Sequence, residues 1–362
     1  MTKMTNLLDV YFEGLLNSKR IPGCGLKVRK NGELIYDKCF GVADLDSGLK
    51  VSEDTIFFLA SMTKPVVAVA AMMLVEQGKL ALDDDLLKFF PSYPEDKKTV
   101  TVRHLLNHCS GLGQGKAGNM YFAMNARPGD SLAERIERMG AMPFDYAPGE
   151  SAEYSPVVGF EILGRILEIV SGQRLEDLLR ESIFRPLGMD DTSFFIPAEK
   201  MNRIAKIYNS VDGSLSEFSG QMNPLQRLTQ SNPNYCSGCG GLKGTLKDYD
   251  RFTTMLAHGG MLDGVRILSE ESLKLMRTPR QLTKAERFPG LVWGLGVLIF
   301  ENPEKMHVHV APGTFGWSGA FGTHMFISPE TGLSATYMVS MGDLGGAASP
   351  ISRQIEKIVF DA

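Results

Sequence analysis

The strand-forming patterns of this chain lie near its two ends, and that placement limits the folds available to it. At the start, Asn31 and Gly32 supply a two-residue turn between two segments of alternating apolar and polar residues, which predicts a β-hairpin. Toward the other end, three further segments have the composition of strands, at residues 292–300, 323–328 and 333–340. One antiparallel sheet built from both termini is the simplest arrangement that pairs them all.

Helical patterns fill the rest of the chain. Apolar residues recur every three or four positions from Met4 to Leu16, which predicts an opening helix that ends near Lys19. A closing helix is predicted at residues 351–359. Strand signals largely vanish in the middle, where residues 157–170 and 175–180 are predicted helices and residues 143–149 and 213–233 are predicted loops.

These patterns predict an α+β fold, with an antiparallel sheet flanked by the terminal helices. We expect one domain over residues 1–362, divided into two sub-domains. Residues 1–90 with 260–362 form the sheet and its helices, and residues 91–259 form a mostly helical insertion. A cleft where two such parts meet is a usual place for a ligand.

Charge and composition exclude several classes of function. Lys and Arg number 38 against 42 Asp and Glu, a net charge of -4, and no basic run is present, so nucleic acid is not an expected partner. The most apolar stretch, residues 65–75, has about half of the roughly 20 residues that a membrane-spanning helix needs. With no signal peptide and five scattered cysteines, we expect a cytoplasmic protein with reduced thiols and no membrane segment.

A buried helix carries the first candidate for chemistry. Ser61 stands at the start of an apolar helical segment that ends before Gly78, and Lys64 follows three residues later. Residues three apart share a helix face, so the hydroxyl and the amine can meet. A desolvated amine can take the proton of a serine, and a helix N-terminus offers free N–H groups to an oxyanion.

This spacing alone is a weak signal. Ser47 and Lys50 have the same separation, but they lie in a polar turn with no helix to align them. On the residues alone, Ser61 could equally be a helix-capping serine followed by a surface lysine.

The neighbouring segments favour Ser61 as a nucleophile over Ser61 as a helix cap, because the chain resembles the serine β-lactamase and penicillin-binding-protein superfamily. The similarity is strongest to the class C-like branch that includes family VIII carboxylesterases, and it covers nearly the whole chain in family order. The segments that carry it are residues 21–25, 58–64, 80–84, 101–112, 148–149, 154–155, 185–192, 240–245 and 315–323. The resemblance implies a β-lactamase/transpeptidase-like fold, with Ser61 as the nucleophile and Lys64 as its partner.

The resemblance also implies a catalytic tyrosine. The matching position is Tyr154, whose phenol beside an ammonium can shuttle a proton between Ser61 and a leaving group. Tyr146 is the alternative, and Tyr154 could instead be an ordinary helix-flanking aromatic residue. The family usually has Asn where this chain has Pro156, which argues against efficient β-lactam hydrolysis.

The third family motif, Lys-Thr-Gly, corresponds here to Trp317, Ser318 and Gly319. We expect these residues to bind substrate, with Gly319 letting it approach the strand, and the resemblance places the second oxyanion-hole N–H at Ala320, beside that of Ser61. Loss of the lysine removes a positive charge for substrate carboxylates, which favours neutral esters or amides. Alternatively, Trp317 simply packs in the sheet.

Metal binding and redox chemistry are weaker interpretations. His104 and His108 have helical spacing, and His307 and His309 are predicted to share a strand face, but neither pair has a third ligand nearby. Cys236 and Cys239 predict a glycine-rich turn, with a redox role as the alternative. We therefore expect no metal and no cofactor.

The predicted function is that of a serine hydrolase acting through an acyl-enzyme, with a small ester, amide or β-lactam as substrate. A carboxylesterase ranks first. A D-amino-acid peptidase, a weak β-lactamase or an acyltransferase would use the same residues, and a non-catalytic binding module would keep only the fold.

Overall fold

A seven-stranded antiparallel sheet forms the centre of the computed structural model, which describes residues 2–218, 232–279, 290–346 and 349–362. The order of its strands is β2-β1-β13-β12-β11-β10-β9. These strands are β1 (Gly23–Lys30), β2 (Glu33–Gly41), β9 (Leu291–Trp293), β10 (Leu298–Phe300), β11 (Thr314–Ser318), β12 (His324–Ser328) and β13 (Leu333–Val339). Strand β1 pairs with β13 from Cys24 opposite Val339 to Lys30 opposite Leu333, so the two ends of the chain meet as predicted.

The turn of the first hairpin depends on two backbone conformations. Asn31 and Gly32 both have positive φ, 50° and 84°, which is the geometry a two-residue hairpin turn requires. A Cβ on Gly32 would also lie 2.4 Å from the His258 ring. Glycine therefore fits this turn for two reasons.

The prediction of one strand over residues 292–300 is wrong. That segment is a hairpin in which Leu298 lies opposite Trp293. Gly294 and Gly296 lie between the two strands, and Gly296 has a φ of 77°. A Cβ on Gly294 would lie 2.1 Å from the Met276 carbonyl oxygen. The chain therefore reverses where these glycines allow a left-handed backbone and a close approach.

Helices cover both faces of the sheet. Helices α1 (Lys3–Asn17) and α12 (Pro350–Asp361) lie on one face and share a core with it that includes Leu8, Phe12 and Ile355. Helix α10 (Leu246–Ala257) contacts β12 and β13 on the opposite face. The remaining helices are α2 (Thr63–Glu76), α3 (Leu86–Phe89), α4 (Val102–Leu106), α5 (Lys116–Met124), α6 (Leu132–Glu137), α7 (Val158–Ser171), α8 (Leu175–Leu179), α9 (Arg185–Leu187) and α11 (Glu270–Met276).

Three short strand pairs lie outside the main sheet in the described ranges, and the sequence did not predict them. Strands β3 (Ile56–Phe58) and β6 (Lys243–Thr245) pair just before Ser61, and β7 (Met261–Leu262) pairs with β8 (Val265–Arg266). Strand β4 (Tyr208–Val211) pairs with β5 (Ser214–Glu217), so the predicted loop at residues 213–233 is wrong at its start. Residues 219–231 of that loop lie outside the described residues. Across the described ranges, no helix has the length and apolar character needed to cross a membrane.

Candidate active site

Ser61 lies in a tight turn immediately before helix α2. Residues Ala60–Met62 form a 3-10 turn, and the α-helix begins at Thr63, two residues later than the sequence pattern indicates. Ala60 has a φ of 45°, an unusual conformation for a residue with a side chain. The turn leaves Ser61 half-buried, while Lys64 in the first helical turn is 1% exposed.

The Lys64 ammonium group donates three hydrogen bonds. Its Nζ lies 3.2 Å from Ser61 Oγ, 2.9 Å from the Pro156 carbonyl oxygen and 2.7 Å from the Cys239 carbonyl oxygen. Three acceptors match the three N–H groups of a lysine side chain. The amine is therefore fixed in direction and aimed at the serine, and Pro156 contributes through its backbone carbonyl oxygen.

Tyr154 completes a cluster of three side chains around the serine. Its hydroxyl donates to Ser61 Oγ at 2.6 Å, and its ring centre lies 5.1 Å from Lys64 Nζ. The hydroxyl of Tyr146 instead donates to the His108 carbonyl oxygen and accepts from the Glu153 N–H. Of the two candidate tyrosines, Tyr154 is the one in contact with Ser61.

The third predicted motif lies on and just after β11, next to the serine. Trp317 is 8% exposed, and its ring packs 5.0 Å from that of Tyr154. Ser318 is buried, with its Oγ 2.7 Å from His324 Nδ1. A Cβ on Gly319 would lie 2.4 Å from the Leu59 carbonyl oxygen, so this glycine allows the strand end to pack against the segment that leads to Ser61. Substrate approach at Gly319 stays a prediction.

Ala320 is exposed at the rim of the cleft. Its N–H donates to no backbone or side-chain acceptor found among the described residues. A free N–H near the nucleophile is what an oxyanion hole requires.

These residues share a cleft of about 760 Å³. Its walls are mainly apolar, and Ser61, Tyr154, Pro156, Trp317, Ser318 and Ala320 lie along them with Gln114, Ala152, Glu153, Leu291, Trp293, Leu298, Met306, Val308, Gly346 and Arg353. Lys64 and Gly319 lie behind this surface. A second cavity, of about 690 Å³, contains Asp44, Met201 and Lys206 and none of the predicted site residues.

Trp293 is a site residue that sequence reasoning missed. Its ring is nearly parallel to that of Tyr154, with centres 5.7 Å apart, and meets Trp317 edge-on at 4.7 Å. The chain has two tryptophans, and both line this cleft. The small number of tryptophans is the one sequence feature that could have pointed to Trp293. Its position in the cleft, however, depends on the hairpin between β9 and β10.

A buried carboxylate pairs with the arginine that reaches the cleft. Arg353 Nη1 lies 2.8 and 2.6 Å from the two carboxylate oxygens of Glu356. Burial opposes ionisation of Glu356, but the hydrogen bonds and charges of His324 and Arg353 together outweigh it and hold the pKa of Glu356 below its usual value. Glu356 is therefore an anion that offsets the Arg353 charge.

The histidine pairs do not form metal sites. His104 caps the start of α4 with Thr101, and His108 lies beyond the end of that helix with a φ of 55°, so the two do not share a helix face. His307 follows a 3-10 turn in a left-handed conformation, so the predicted strand at His307 and His309 is wrong. Among the described residues, no group of three or more His, Cys, Asp or Glu side chains could hold a metal ion.

Cys236 and Cys239 are buried free thiols in the predicted turn. Burial raises the pKa of the Cys236 thiol to about 12 and raises that of Cys239 further. Raised pKa values disfavour the reactive thiolate. The turn acts on the site through the Cys239 carbonyl oxygen, which accepts from Lys64.

Comparisons with known proteins place the whole chain in one family. A family model described as Beta-lactamase matches residues 8–356. Protein Rv1367c of Mycobacterium tuberculosis is 31% identical over 92% of this chain and 88% of its own length. Esterase EstB of Burkholderia gladioli is 30% identical over 98% of this chain and 94% of its own.

A solved structure shares the fold over its full length. EstCE1, described as a hydrolase with promiscuous acyltransferase activity, superposes with a TM-score of 0.86. The match covers 98% of this chain and 97% of that one, at 23% sequence identity. At that identity the likeness shows a common fold.

Proposed function

Because the chain belongs to the Beta-lactamase family and is a serine hydrolase, we propose that it hydrolyses small neutral carboxylic esters through an acyl-enzyme on Ser61. The predicted membership of the serine β-lactamase and penicillin-binding-protein superfamily and the α+β fold are confirmed. One observation carries the finer proposal. Ser61 Oγ lies within hydrogen-bonding distance of both Lys64 Nζ and Tyr154 Oη, inside a largely apolar cleft.

Acylation begins at the serine oxygen. Ser61 Oγ accepts hydrogen bonds from Lys64 and Tyr154 at rest, and whichever of the two is in its base form takes the serine proton during attack. The Oγ forms a bond to the carbonyl carbon, and the N–H groups of Ser61 and Ala320 are proposed to hold the oxyanion. The C–O bond to the leaving group then breaks, and the departing alcohol receives the proton.

Deacylation reverses these roles with water as the nucleophile. Water gives a proton to the same base and attacks the acyl carbon, and Ser61 Oγ leaves with a proton returned by Tyr154 or Lys64. The carboxylic acid is released. Three side chains held by fixed contacts thus serve both halves of the reaction.

The electrostatics of the cleft support a neutral substrate. A tryptophan stands where penicillin-binding enzymes have a lysine, and the Arg353 charge is offset by Glu356 at 2.6 Å. An anionic substrate packed against Trp293 and Trp317 would lose hydration, and the only cation among the residues that line the described cleft is the paired Arg353. An uncharged acyl or alcohol group loses little there and gains apolar contact.

Acyl transfer is a second candidate. The apolar walls from Leu291, Trp293 and Leu298 could receive an alcohol in place of water, and EstCE1 is described as having promiscuous acyltransferase activity. Transfer would use the same acyl-Ser61 and differ only in the second nucleophile.

Ester and β-lactam hydrolysis measured side by side test the proposal. We expect p-nitrophenyl acetate and butyrate to be hydrolysed with a kcat/KM at least ~100-fold above that for nitrocefin, an anionic β-lactam. Both activities should vanish in Ser61→Ala. A preference for nitrocefin would overturn the substrate class, and ester turnover that survives in Ser61→Ala would overturn the nucleophile.

A further inference from the structure

We propose that His108 is a positioning residue for Tyr154 and sets the rate of proton transfer at Ser61 without contacting the substrate. The inference rests on the proposed role of Tyr154 as a proton-transfer residue. His108 is 1% exposed, and it contacts Tyr154 and the two residues on either side of it, Glu153 and Ser155. The hydrolytic steps above leave its side chain without a function.

Two hydrogen bonds hold the backbone on each side of the tyrosine. The N–H of Glu153 donates to the His108 carbonyl oxygen at 3.1 Å, and the N–H of Ser155 donates to His108 Nδ1 at 3.2 Å. Tyr154 lies between them, in a segment with no regular secondary structure of its own. His108 thus supplies a hydrogen-bond acceptor on each side of Tyr154, and the Tyr146 hydroxyl shares the Glu153 N–H at 3.2 Å.

The imidazole ring also supports the phenol ring from the side. Its centre lies 5.0 Å from that of Tyr154, 4.1 Å from Trp293 and 5.4 Å from Phe160. The four rings form one packed cluster beside Lys64. Movement of the His108 ring would therefore move the Tyr154 hydroxyl away from Ser61 Oγ.

The imidazole must be neutral for this arrangement to hold. Full burial, with the nearby Lys64 charge, holds the pKa of His108 well below its usual value. Nδ1 accepts the Ser155 N–H, so the ring proton is on Nε2. The Nε2 atom is buried and has no hydrogen-bond partner within the described part of the chain. The side chain contributes an acceptor and a flat surface, and no charge.

The backbone of His108 provides matched variants. Its φ of 55° suits asparagine, whose Oδ1 can replace Nδ1 as an acceptor. His108→Asn therefore keeps the hydrogen bond and loses the ring, whereas His108→Phe keeps a ring of similar size and leaves the Ser155 N–H without its acceptor. Comparison of the two separates the hydrogen bond from the packing.

We expect kcat for p-nitrophenyl butyrate to fall by ~10- to 100-fold in His108→Phe with little change in KM, because a small misplacement of a catalytic group has that effect. His108→Asn should stay within ~5-fold of the wild type, because the hydrogen bond to the Ser155 N–H is the main restraint on Tyr154 and the ring packing is a lesser one. Thermal unfolding of each variant shows that it is folded. If His108→Phe does not fold, His108→Asn still tests the proposal. A loss of kcat in His108→Asn as large as that in Tyr154→Phe would contradict it.

A double-mutant cycle with Tyr154→Phe gives the sharpest test. Since His108 acts through the Tyr154 hydroxyl, His108→Phe should lower kcat by less than ~2-fold in the Tyr154→Phe background. An equal loss in both backgrounds would make His108 merely structural and overturn the inference. If Tyr154→Phe alone has no effect, the inference falls with the role of Tyr154, while the Ser61→Ala comparison still decides the nucleophile independently.

Discussion

At the scale of single residues, the direction of the Lys64 side chain is the most constrained feature of the site. Its 1% exposure and three acceptors leave it one orientation, toward Ser61 Oγ. The other pair of the same spacing, Ser47 and Lys50, has a different environment, since Ser47 Oγ donates to Asp44 in an exposed turn. The same spacing allows contact in both pairs, but only the buried environment of Lys64 fixes its amine against the serine.

Replacing this lysine should remove the chemistry with little effect on binding. We expect Lys64→Met to lower kcat for p-nitrophenyl butyrate by about 10³-fold, because a positioned proton-transfer group contributes roughly 10²- to 10⁴-fold. Steady-state kinetics measure the effect. Lys50→Ala is the matched control and should retain full activity. A Lys64→Met variant within ~10-fold of the wild type would contradict the proposed role.

A second prediction at this scale concerns stability and pH. Burial removes the Asp248 carboxylate from water and raises its pKa to about 6, although hydrogen bonds from the Thr192 hydroxyl and the Asp191 N–H partly oppose the shift. The folded-state pKa of Asp248 exceeds that of the unfolded chain, so its contribution to the free energy of unfolding is fully present below pH ~4. That contribution falls by about 3 kcal/mol as pH rises through ~6. Asp248→Asn should therefore gain stability relative to the wild type between pH 4 and 7 in urea unfolding.

Asp191 supplies a control of opposite sign. Desolvation opposes ionisation of Asp191, but the hydrogen bonds and charges of Arg203 and Lys200 together outweigh it and lower the pKa, so the contribution of Asp191 to stability is lost as pH falls. Relative to the wild type, Asp191→Asn should lose more stability at pH ~7 than at pH ~2, because the contribution is present above the unfolded pKa of about 3.9 and is lost only below it. A pH-independent difference for Asp248→Asn would contradict the assignment.

At the scale of elements, the turn of residues 236–239 is fixed onto α7 by one buried carboxyl group. Glu161 accepts hydrogen bonds from the Ser237 hydroxyl and from the Cys239 N–H. Burial raises the pKa of Glu161, which favours its neutral form. A Cβ on Gly238 would lie 2.4 Å from the Phe160 carbonyl oxygen, so the turn lies directly on the helix. Its Cys239 carbonyl oxygen is thereby presented to Lys64.

Glu161→Leu should destabilise the protein by about 2–4 kcal/mol and lower kcat, because two buried donors lose their acceptor. Glu161→Gln keeps an acceptor oxygen and resembles the neutral carboxyl group. This variant should therefore retain most of the stability and most of the kcat of the wild type. Urea unfolding and ester kinetics measure the two effects. Equal losses in the two variants would show that the charge, rather than the hydrogen bonds, is what matters.

Sequence alone could predict those elements whose determinants are local. The Asn31–Gly32 turn and the approach of Lys64 to Ser61 follow from short spacings, and both are present in the structure. Tyr154 came from family resemblance, since 93 positions separate it from Ser61. The positions of Trp293 and His108 depend on a hairpin reversal at Gly294 and on a left-handed residue past the end of a helix, which no periodicity reveals.

At the scale of the whole molecule, one continuous hydrophobic core joins the sheet to the helical part. It includes Phe315 and Met325 of the sheet together with Val66 of α2 and Phe160 of α7. Nucleophile, tyrosine and tryptophans come from different parts of the chain and meet in one cleft. The sub-domain boundaries near residues 90 and 260 stay a prediction, and the shared core argues against separate unfolding.

Unfolding should therefore be a single transition. Both tryptophans line the cleft, so their fluorescence reports the active site, while far-ultraviolet circular dichroism reports the helices. We expect the two signals and esterase activity to be lost at the same urea concentration, because the core that joins the sheet to the helical part is shared by both. Loss of fluorescence and activity at clearly lower urea would show sub-domains that separate first.

The central claim is that Ser61 becomes covalently acylated, and mass spectrometry tests it most directly. After reaction with a fluorophosphonate, the intact protein should gain one adduct, and peptide mapping should place it on Ser61. Ser61→Ala should remain unlabelled, whereas Ser47→Ala should label as the wild type does. An adduct on another serine, or labelling that persists in Ser61→Ala, would contradict the account.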